Sequence, residues 1–315
     1  MLEIQHGKFG ENCAGLSRRT ALKAGFLGTL GLSSADLLQL RAEGKAKTNN
    51  KSVILIWLDG GPSHMETYDP KPNAPKEYRG PWLDMPTNVS GIRFSEMLPL
   101  QAKHADKMCV LRSVHHDNGD HFAAAHWMLT GYYGSTSAAK AQKYPSVGSC
   151  VSRVKGANAV GMPAYVGLPA AESVYLYPGY QGAAYLGPAY NPFQLNMKQK
   201  YLSGSSKTKI QTPPVLGNLI GNTARVGSRV NLLEELDQIN RSIDQTGSIE
   251  ALDRYQQEAV DMVLGGKARE AFDIDKESEK LRDSYGRGPW GHYTLMARRL
   301  VESGVSFVTV DMPHW

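Results

Sequence analysis

The sequence has few cysteines, no long basic block and no apolar run of the length needed to cross a membrane. Neither Cys109 nor Cys150 has metal-ligand spacing, so we expect small packed side chains there, or a disulfide in an oxidising compartment. The net charge of +5 is not concentrated in a tract that would suit nucleic acid. The apolar segments are too short for a stable membrane span. These absences exclude nucleic-acid binding and membrane spanning as expected functions.

The first fifty residues have the pattern of an export signal. Paired arginines in Ser17–Lys23 precede a weakly apolar stretch, Ala24–Leu40, as in twin-arginine signals. A basic, amphipathic start of the mature domain is the alternative. The sequence therefore predicts a signal and linker over residues 1–50 and one α/β domain over residues 51–315. It also predicts the twin-arginine machinery as a partner and a periplasmic or extracellular location.

A short apolar run, Val53–Leu58, is followed directly by Asp59, Gly60 and Gly61. Such a run predicts a strand buried on both faces, which is typical of a parallel sheet flanked by helices. Ligands of open α/β sheets bind beyond the carboxyl ends of the strands. Asp59 is therefore a candidate ligand for a divalent cation or a catalytic carboxylate. A turn-forming aspartate is the alternative.

A second predicted strand, Met108–Val114, leads into a dense group of polar residues. Imidazole and carboxylate side chains are typical ligands of zinc, manganese or iron, and histidine also transfers protons near neutral pH. The group lies before a predicted helix, Phe122–Leu129, and we expect it at the same sheet end as Asp59. The alternative is a polar loop in which aspartates form turns and a helix cap. Its members are His115, His116, Asp117, Asp120, His121 and, inside the predicted helix, His126, which we expect to pack or to support the site rather than to bind directly.

The rest of the chain continues the alternation of strands and helices. Residues 163–168 and 305–311 are predicted strands, and residues 231–264 and 290–303 are predicted helices. This order predicts an α/β fold with a doubly wound, mostly parallel sheet and flanking helices. Asp311 ends the last strand and is a weaker ligand candidate. The tyrosine-rich stretch 170–193 would suit sugar stacking, or would pack on itself as a surface loop.

Several motifs together resemble a known family. They are the leader, Trp57–His64, Thr67–Pro72, Leu129–Gly131 and Ala297–Val305. They resemble the twin-arginine-exported "domain of unknown function 1501" family, which is related to sulfatases and alkaline phosphatases. The resemblance implies a metal-dependent hydrolase fold, and it covers nearly the whole chain.

The resemblance also implies residue roles. Asp59 matches the first-strand aspartate that binds metal in the wider superfamily. The sulfatase nucleophile position falls near His121, and the formylglycine signature is absent, so His121 would be a nucleophile, an acid or base, or a metal ligand. The chain ends after a predicted strand without a covering helix, whereas relatives continue with further acidic and histidine motifs. We therefore expect a C-terminally incomplete domain of the alkaline-phosphatase/sulfatase type.

Two functions follow as expectations. One is an exported metal-dependent hydrolase of phosphate or sulfate esters, with a small-molecule or polysaccharide substrate and zinc, manganese or calcium as cofactor. The other is a non-catalytic module of the same fold that binds glycans or a surface protein. The predicted site residues are His121 as the catalytic group, Asp59, His116, Asp120, His121 and Asp311 as metal ligands, and His64, His115, Tyr177 and Tyr180 in substrate binding.

Overall fold

Strands and helices alternate in the computed structural model, which describes residues 50–134, 136, 141–169, 180–194 and 266–312. The strands are β1 Val53–Trp57, β2 Asp84–Pro86, β3 Arg93–Ser95, β4 Tyr165–Leu168, β5 Phe193–Gln194 and β6 Phe307–Asp311. The helices are α1 Pro99–Ala102, α2 His121–Thr130, α3 Val147–Lys155, α4 Lys267–Phe272, α5 Glu279–Tyr285 and α6 Pro289–Ser303. Short 3-10 turns lie at His64–Glu66, Ala105–Lys107, Ala184–Leu186, Pro188–Tyr190 and Ile274–Lys276.

The main sheet has four strands in the order β1-β6-β4-β5, and every neighbouring pair is parallel. β6 lies between β1 and β4 and is buried along its whole length. A strand with neighbours on both edges and helices over its faces is built mainly from apolar residues, and Phe307, Val308 and Val310 supply them here. The prediction of an α/β fold with a parallel sheet is confirmed, and β1, β4 and β6 lie within the predicted strands.

The two faces of the sheet are covered by different helices. Alternate residues of a strand point to opposite faces, so Val308 and Val310 share one face and Thr309 and Asp311 share the other. The valines belong to the main core, together with apolar residues of α4 and α6. On the other face, Tyr165 lies against Gly148 of α3. The sheet is therefore packed between α6 on one side and α3 on the other.

Helix α6 is the longest of the described helices and begins and ends at residues suited to those positions. Pro289 occupies its first turn, where the missing N–H costs no hydrogen bond. Gly304 ends it with φ 112° in the left-handed region, where a side chain would be strained. The backbone then enters β6 after three residues. The predicted helix over 290–303 is confirmed.

A small antiparallel hairpin forms a separate layer. β2 pairs with β3, and Phe94 is fully buried there beside Ala102 and Ala105. Tyr68 packs edge-on against Phe94, with ring centroids 5.1 Å apart. This second cluster holds the segment between β1 and α2 in place. That segment contains most of the polar residues predicted to form the site.

The predicted buried strand Met108–Val114 is wrong. These residues form no strand, and Leu111 and Val114 are 70% and 56% exposed. An apolar run becomes a strand only where another strand pairs with its backbone, and the side chain of Arg112 holds this segment instead. Its guanidinium donates to the carbonyl oxygens of Tyr68 (3.0 Å) and Arg93 (3.1 Å). The expectation of a buried Cys109 is wrong for the same reason, since Cys109 is exposed.

Other predicted elements lie outside the described residues. These are the export signal within residues 1–49, the helix over 231–264 and most of the tyrosine-rich stretch, including Tyr177. Within the described ranges, no helix combines the length and the apolar character that a membrane span requires.

Candidate functional site

Two carboxylates meet at the carboxyl end of the main sheet. β1 and β6 run parallel, and Trp57 is the register partner of Asp311. The backbone N–H of Met312 donates to the carbonyl oxygen of Trp57 at 2.8 Å, which extends this pairing to the end of β6. Asp59 lies two residues beyond Trp57. The structure therefore brings together two of the predicted site residues at the edge where α/β proteins bind ligands.

The loop after Asp59 turns sharply. Gly61 donates its N–H to the carbonyl oxygen of Leu58 at 3.0 Å. Gly60 and Gly61 both have positive φ, 87° and 67°, a region that is strained for other residues. The space where a Cβ would lie on either glycine is open. The two glycines thus turn the chain away immediately after Asp59 and leave room beside the backbone.

Asp311 is in an unusual electrostatic environment. Its side chain is fully buried, and neither carboxylate oxygen has a hydrogen-bond partner within the described part of the chain. Burial, and next the charge of Asp59, raise the pKa of Asp311 to about 7. A buried carboxylate without a partner destabilises a fold, and functional sites are where such groups occur. Asp311 was the weaker candidate from the sequence, and its burial without a partner makes it a strong candidate in the structure.

The pair has two chemical uses. Two neighbouring carboxylates can hold one proton between them, because two negative charges close together repel each other. Such a pair also attracts a divalent cation. Across residues 50–134, 136, 141–169, 180–194 and 266–312, no group of three or more His, Cys, Asp and Glu side chains is arranged to hold a metal. Within these ranges Asp59 and Asp311 offer the oxygen ligands of a site but not a complete set.

The polar group before α2 is a solvent-exposed loop. His115 Nδ1 lies 3.0 Å from the carbonyl oxygen of Ser113, and His116 Nδ1 accepts the N–H of Asn118 at 3.3 Å. Asp120 caps α2, because its side chain accepts the N–H of Ala123 at 2.9 Å. The capping alternative is confirmed for Asp120. A capping carboxylate keeps one oxygen engaged with the helix, which argues against its use as a strong metal ligand.

His121 is the first residue of α2 and is exposed. It follows the cap and lies at the end of the helix where the dipole favours anions. His64 is also exposed and begins a 3-10 turn, with its carbonyl oxygen accepting the N–H of Asp69 at 2.9 Å. Both imidazoles are accessible to a ligand from solvent.

His126 has a structural role. Its Nδ1 lies 2.8 Å from the carbonyl oxygen of Tyr132, and its Nε2 accepts the N–H of Lys143 at 3.2 Å. This pattern requires a neutral ring with the proton on Nδ1. Burial lowers the pKa of His126, which keeps it in that form. The ring of Tyr180 packs edge-on against it, with centroids 5.1 Å apart.

This packing argues against Tyr180 as a sugar-stacking residue. Its side chain is 2% exposed, so neither face of the ring is open to a ligand. Accessible rings lie nearby instead. We call His116, Trp127, Tyr132 and Tyr133 the aromatic surface. His116 stacks on Trp127 with centroids 6.2 Å apart, and Tyr133 meets Trp127 edge-on at 5.6 Å. The sequence signal for this surface was a tryptophan and two tyrosines around the end of α2.

One buried histidine was not singled out in the sequence. His292, in the first turn of α6, is 7% exposed, and neither ring nitrogen has a hydrogen-bond partner among the described residues. The available signal was a histidine at helical spacing from apolar residues, Leu295 and Met296, which places it on the buried face.

The comparisons with known proteins agree with the sequence motifs. A family model with the description "Protein of unknown function (DUF1501)" matches residues 50–315. The chain belongs to this family. It has no significant match among curated proteins or among solved structures. The family's description names no reaction, so functional conclusions depend on the site itself.

Proposed function

We propose that this DUF1501 protein is an exported, metal-dependent hydrolase of phosphate or sulfate esters, of the alkaline-phosphatase/sulfatase type, with Asp59 and Asp311 at its metal site. The observation that carries the proposal is the buried carboxylate of Asp311, which has no hydrogen-bond partner among the described residues and lies near Asp59. A bound cation would offset both effects that disfavour a charged Asp311 carboxylate, its burial and its repulsion by the charge of Asp59.

The donor set favours a particular kind of cation. Carboxylate oxygens are hard ligands, which suit calcium and manganese, whereas zinc prefers sites with histidine or cysteine. His116 and His121 are exposed and are not grouped with the two carboxylates as a metal cluster. Calcium or manganese therefore fits Asp59 and Asp311 better than zinc does. The bound ion would polarise the ester oxygen and stabilise negative charge on the transferring group.

His121 is the proposed catalytic side chain. It is exposed on the first turn of α2, and an imidazole exchanges protons near neutral pH. As a general acid it would hold the proton that the leaving oxygen needs, and as a base it would take one from water. His64 and His115 are exposed and are proposed to contact the anionic group of the substrate.

The aromatic surface favours a second candidate function, a non-catalytic module that binds glycans. Tyr132 and Tyr133 are 58% and 52% exposed, and neighbouring exposed aromatic residues that form a patch are typical of binding sites. Asn118 Nδ2 donates to the hydroxyl of Tyr133 at 3.1 Å, which fixes that ring. Sugar rings stack on such faces. Glycan retention that is lost in Trp127→Ala, in a protein without metal, would favour this function.

Metal content of the purified full-length chain tests the first proposal. We expect a divalent metal at near-stoichiometric level in the wild type. Asp59→Asn and Asp311→Asn should each reduce its affinity by more than the about 10–100-fold that loss of an outer-shell partner costs. Asp84→Asn is the matched control, because it removes a carboxylate that pairs with Arg93 on the hairpin, away from the sheet end.

The outcomes separate the candidates. His121→Ala should keep the metal and lose ester hydrolysis if His121 is catalytic, and should lose both if it is a ligand. Background metal in well-folded wild type would contradict the hydrolase proposal and favour the glycan-binding module. Full occupancy in both aspartate variants would assign the metal to other residues.

A further inference from the structure

The imidazole ring of His126 joins two parts of the chain that follow α2. Its Nδ1 lies 2.8 Å from the carbonyl oxygen of Tyr132, and its Nε2 accepts the N–H of Lys143 at 3.2 Å. The side chain is fully buried, so bulk water does not compete for either nitrogen. One ring therefore fixes the backbone at two points between α2 and α3.

These two points carry a pair of stacked tyrosines. Tyr144 follows Lys143 directly, and its ring stacks on that of Tyr132 with centroids 4.6 Å apart and an angle of 17° between the planes. The ring of His126 also meets Tyr144 edge-on, with centroids 6.0 Å apart. Tyr132 is held through its own carbonyl group and Tyr144 through the backbone of its neighbour. His126 therefore brings the two rings together.

Close packing around His126 leaves the stack little freedom. A Cβ on Gly134 would lie 3.3 Å from Cε1 of His126 and 3.1 Å from Cε2 of Tyr144, which is tighter than ordinary contact. Thr130 Oγ1 accepts the N–H of Tyr132 at 3.2 Å, which holds the turn at the end of α2. Tyr132 is 58% exposed and belongs to the aromatic surface. Its position thus depends on a histidine that is buried beneath it.

This arrangement requires a neutral imidazole. Nε2 accepts a hydrogen bond and so carries no proton, whereas a protonated imidazole has a hydrogen on both nitrogens. Protonation would set the new Nε2–H against the N–H of Lys143 and would place a charge in a buried position. The contact with Lys143 would then break, and the backbone that positions Tyr144 would be released.

The groups around the ring determine where this change occurs. Burial lowers the pKa of His126, the hydrogen bond to the carbonyl oxygen of Tyr132 acts in the opposite direction, and the charge of Lys143 lowers the pKa further. The other titratable side chains packed against the ring are the phenols of Tyr144 and Tyr180, which carry no charge at acid pH. The ring therefore becomes charged below pH 6.5, the ordinary value for histidine.

We propose that His126 is a positioning residue of the aromatic surface, which binds glycans while this ring is neutral and releases them when the ring is protonated at acid pH. Exposed rings bind a glycan well only if they are already held in place, because ordering them on binding costs affinity. The proposal rests on glycan binding as the function of the aromatic surface. It is independent of Asp59 and Asp311.

Nuclear magnetic resonance of the full chain tests the positioning role without a ligand. The His126 ring should carry its proton on Nδ1 at about pH 8 and become doubly protonated towards about pH 5. Over the same range the amide exchange of Lys143 should accelerate and the near-ultraviolet circular dichroism of the stacked tyrosines should fall, while the far-ultraviolet signal is kept. A ring that stays neutral, or a Lys143 amide that stays protected after protonation, would overturn the proposal.

Retention on insoluble cellulose, chitin and xylan tests the consequence for binding. Between about pH 8 and about pH 5 the wild type should lose affinity about tenfold or more, the effect of re-ordering two aromatic side chains. His126→Gln keeps a donor and an acceptor but cannot be protonated, so its retention should not change with pH. His116→Gln is the control, because His116 is an exposed histidine of the same surface, and it should keep the acid loss.

The outcomes distinguish this proposal from glycan binding itself. An acid loss that persists in His126→Gln, or disappears in His116→Gln, would assign the effect to another group and overturn the proposal. Lys143→Gln removes an exposed charge that opposes protonation, so it should move the loss to higher pH, and it tests the site even if His126→Gln fails to fold. An unmoved loss would count against the proposal. Acid release of the Lys143 amide in a protein that none of the three polysaccharides retains would support the positioning role and contradict glycan binding.

Discussion

Asp311 is the register partner of Trp57, and this pairing sets its carboxylate beside that of Asp59 at one end of a parallel sheet. Neither residue is informative alone, because an aspartate after a strand is usually a turn residue. Together they form a site in which one carboxylate is fully buried and the other is at the start of a glycine turn. The sheet creates the pair, since the two residues are separated by most of the described chain.

The first prediction concerns how far the buried, charged carboxylate of Asp311 lowers the free energy of unfolding. In metal-free protein, Asp311→Asn should raise the free energy of unfolding at neutral pH, because it removes a charge from a buried position. The rise in the pKa of Asp311 from 3.8 to about 7 corresponds to a loss of on the order of 4 kcal/mol in the free energy of unfolding once the carboxylate is charged. Chemical denaturation of chelator-treated protein measures this.

The pH dependence has a definite sign. The folded state holds the Asp311 proton between pH about 4 and about 7, whereas the unfolded state has released it. Stability should therefore fall as the pH rises through this range and level off above it. Asp311→Asn should flatten the curve, and Asp84→Asn should not. A wild-type curve that rises across the range would contradict the assignment.

The second prediction concerns the contact between α3 and the sheet. A Cβ on Gly148 would lie 2.4–2.7 Å from three ring atoms of Tyr165. That ring cannot easily move, because its hydroxyl lies 3.0 Å from Thr309 Oγ1 and Phe307 packs edge-on against it. Gly148→Ala should destabilise the protein by about 1–3 kcal/mol, as overpacking does.

Urea denaturation of Gly148→Ala beside Gly119→Ala checks this prediction. Gly119 has open space where a Cβ would lie and no positive φ, so the control should be neutral or slightly stabilising. Equal stability of the two variants would mean that α3 is not packed this closely on Tyr165.

Acid sensitivity provides the third prediction. Burial lowers the pKa of His126, so below its ordinary value of 6.5 the unfolded state takes up a proton that the folded state does not. The stability that depends on neutral His126 is fully present above pH 6.5 and is lost as the pH falls below it. His126→Gln should lower stability at neutral pH by about 1–3 kcal/mol and reduce this acid loss.

His104→Gln is the control for His126, because His104 is exposed and its side chain makes no cap hydrogen bond to the short turn that follows it. Its stability curve should follow that of the wild type. If His126→Gln leaves the acid loss unchanged, another group is responsible for it.

The parts of the fold that follow from local pattern were predictable. β1 and β6 are apolar runs, α2 has an aspartate cap and a glycine end, and α6 has Pro289 and Gly304 at its ends. Met108–Val114 could not be judged from its own residues, because a strand also needs a partner that lies elsewhere in the chain. Asp311 could be placed at a strand end, but its lack of partners depends on packing. His292 is a similar case, since a missing hydrogen bond has no sequence signal.

The last prediction concerns export. Arg18 and Arg19 precede a weakly apolar stretch, which is the pattern that the twin-arginine machinery recognises. Arg18→Lys with Arg19→Lys keeps the charge and removes the guanidinium groups, so it should block export of the full-length protein while leaving its expression unchanged. Cell fractionation with an antibody to the mature domain measures the distribution. Lys23→Arg is the matched control, because it keeps the arginine pair intact and should be exported normally. Periplasmic accumulation of the double variant at the wild-type level would show that another route carries the protein.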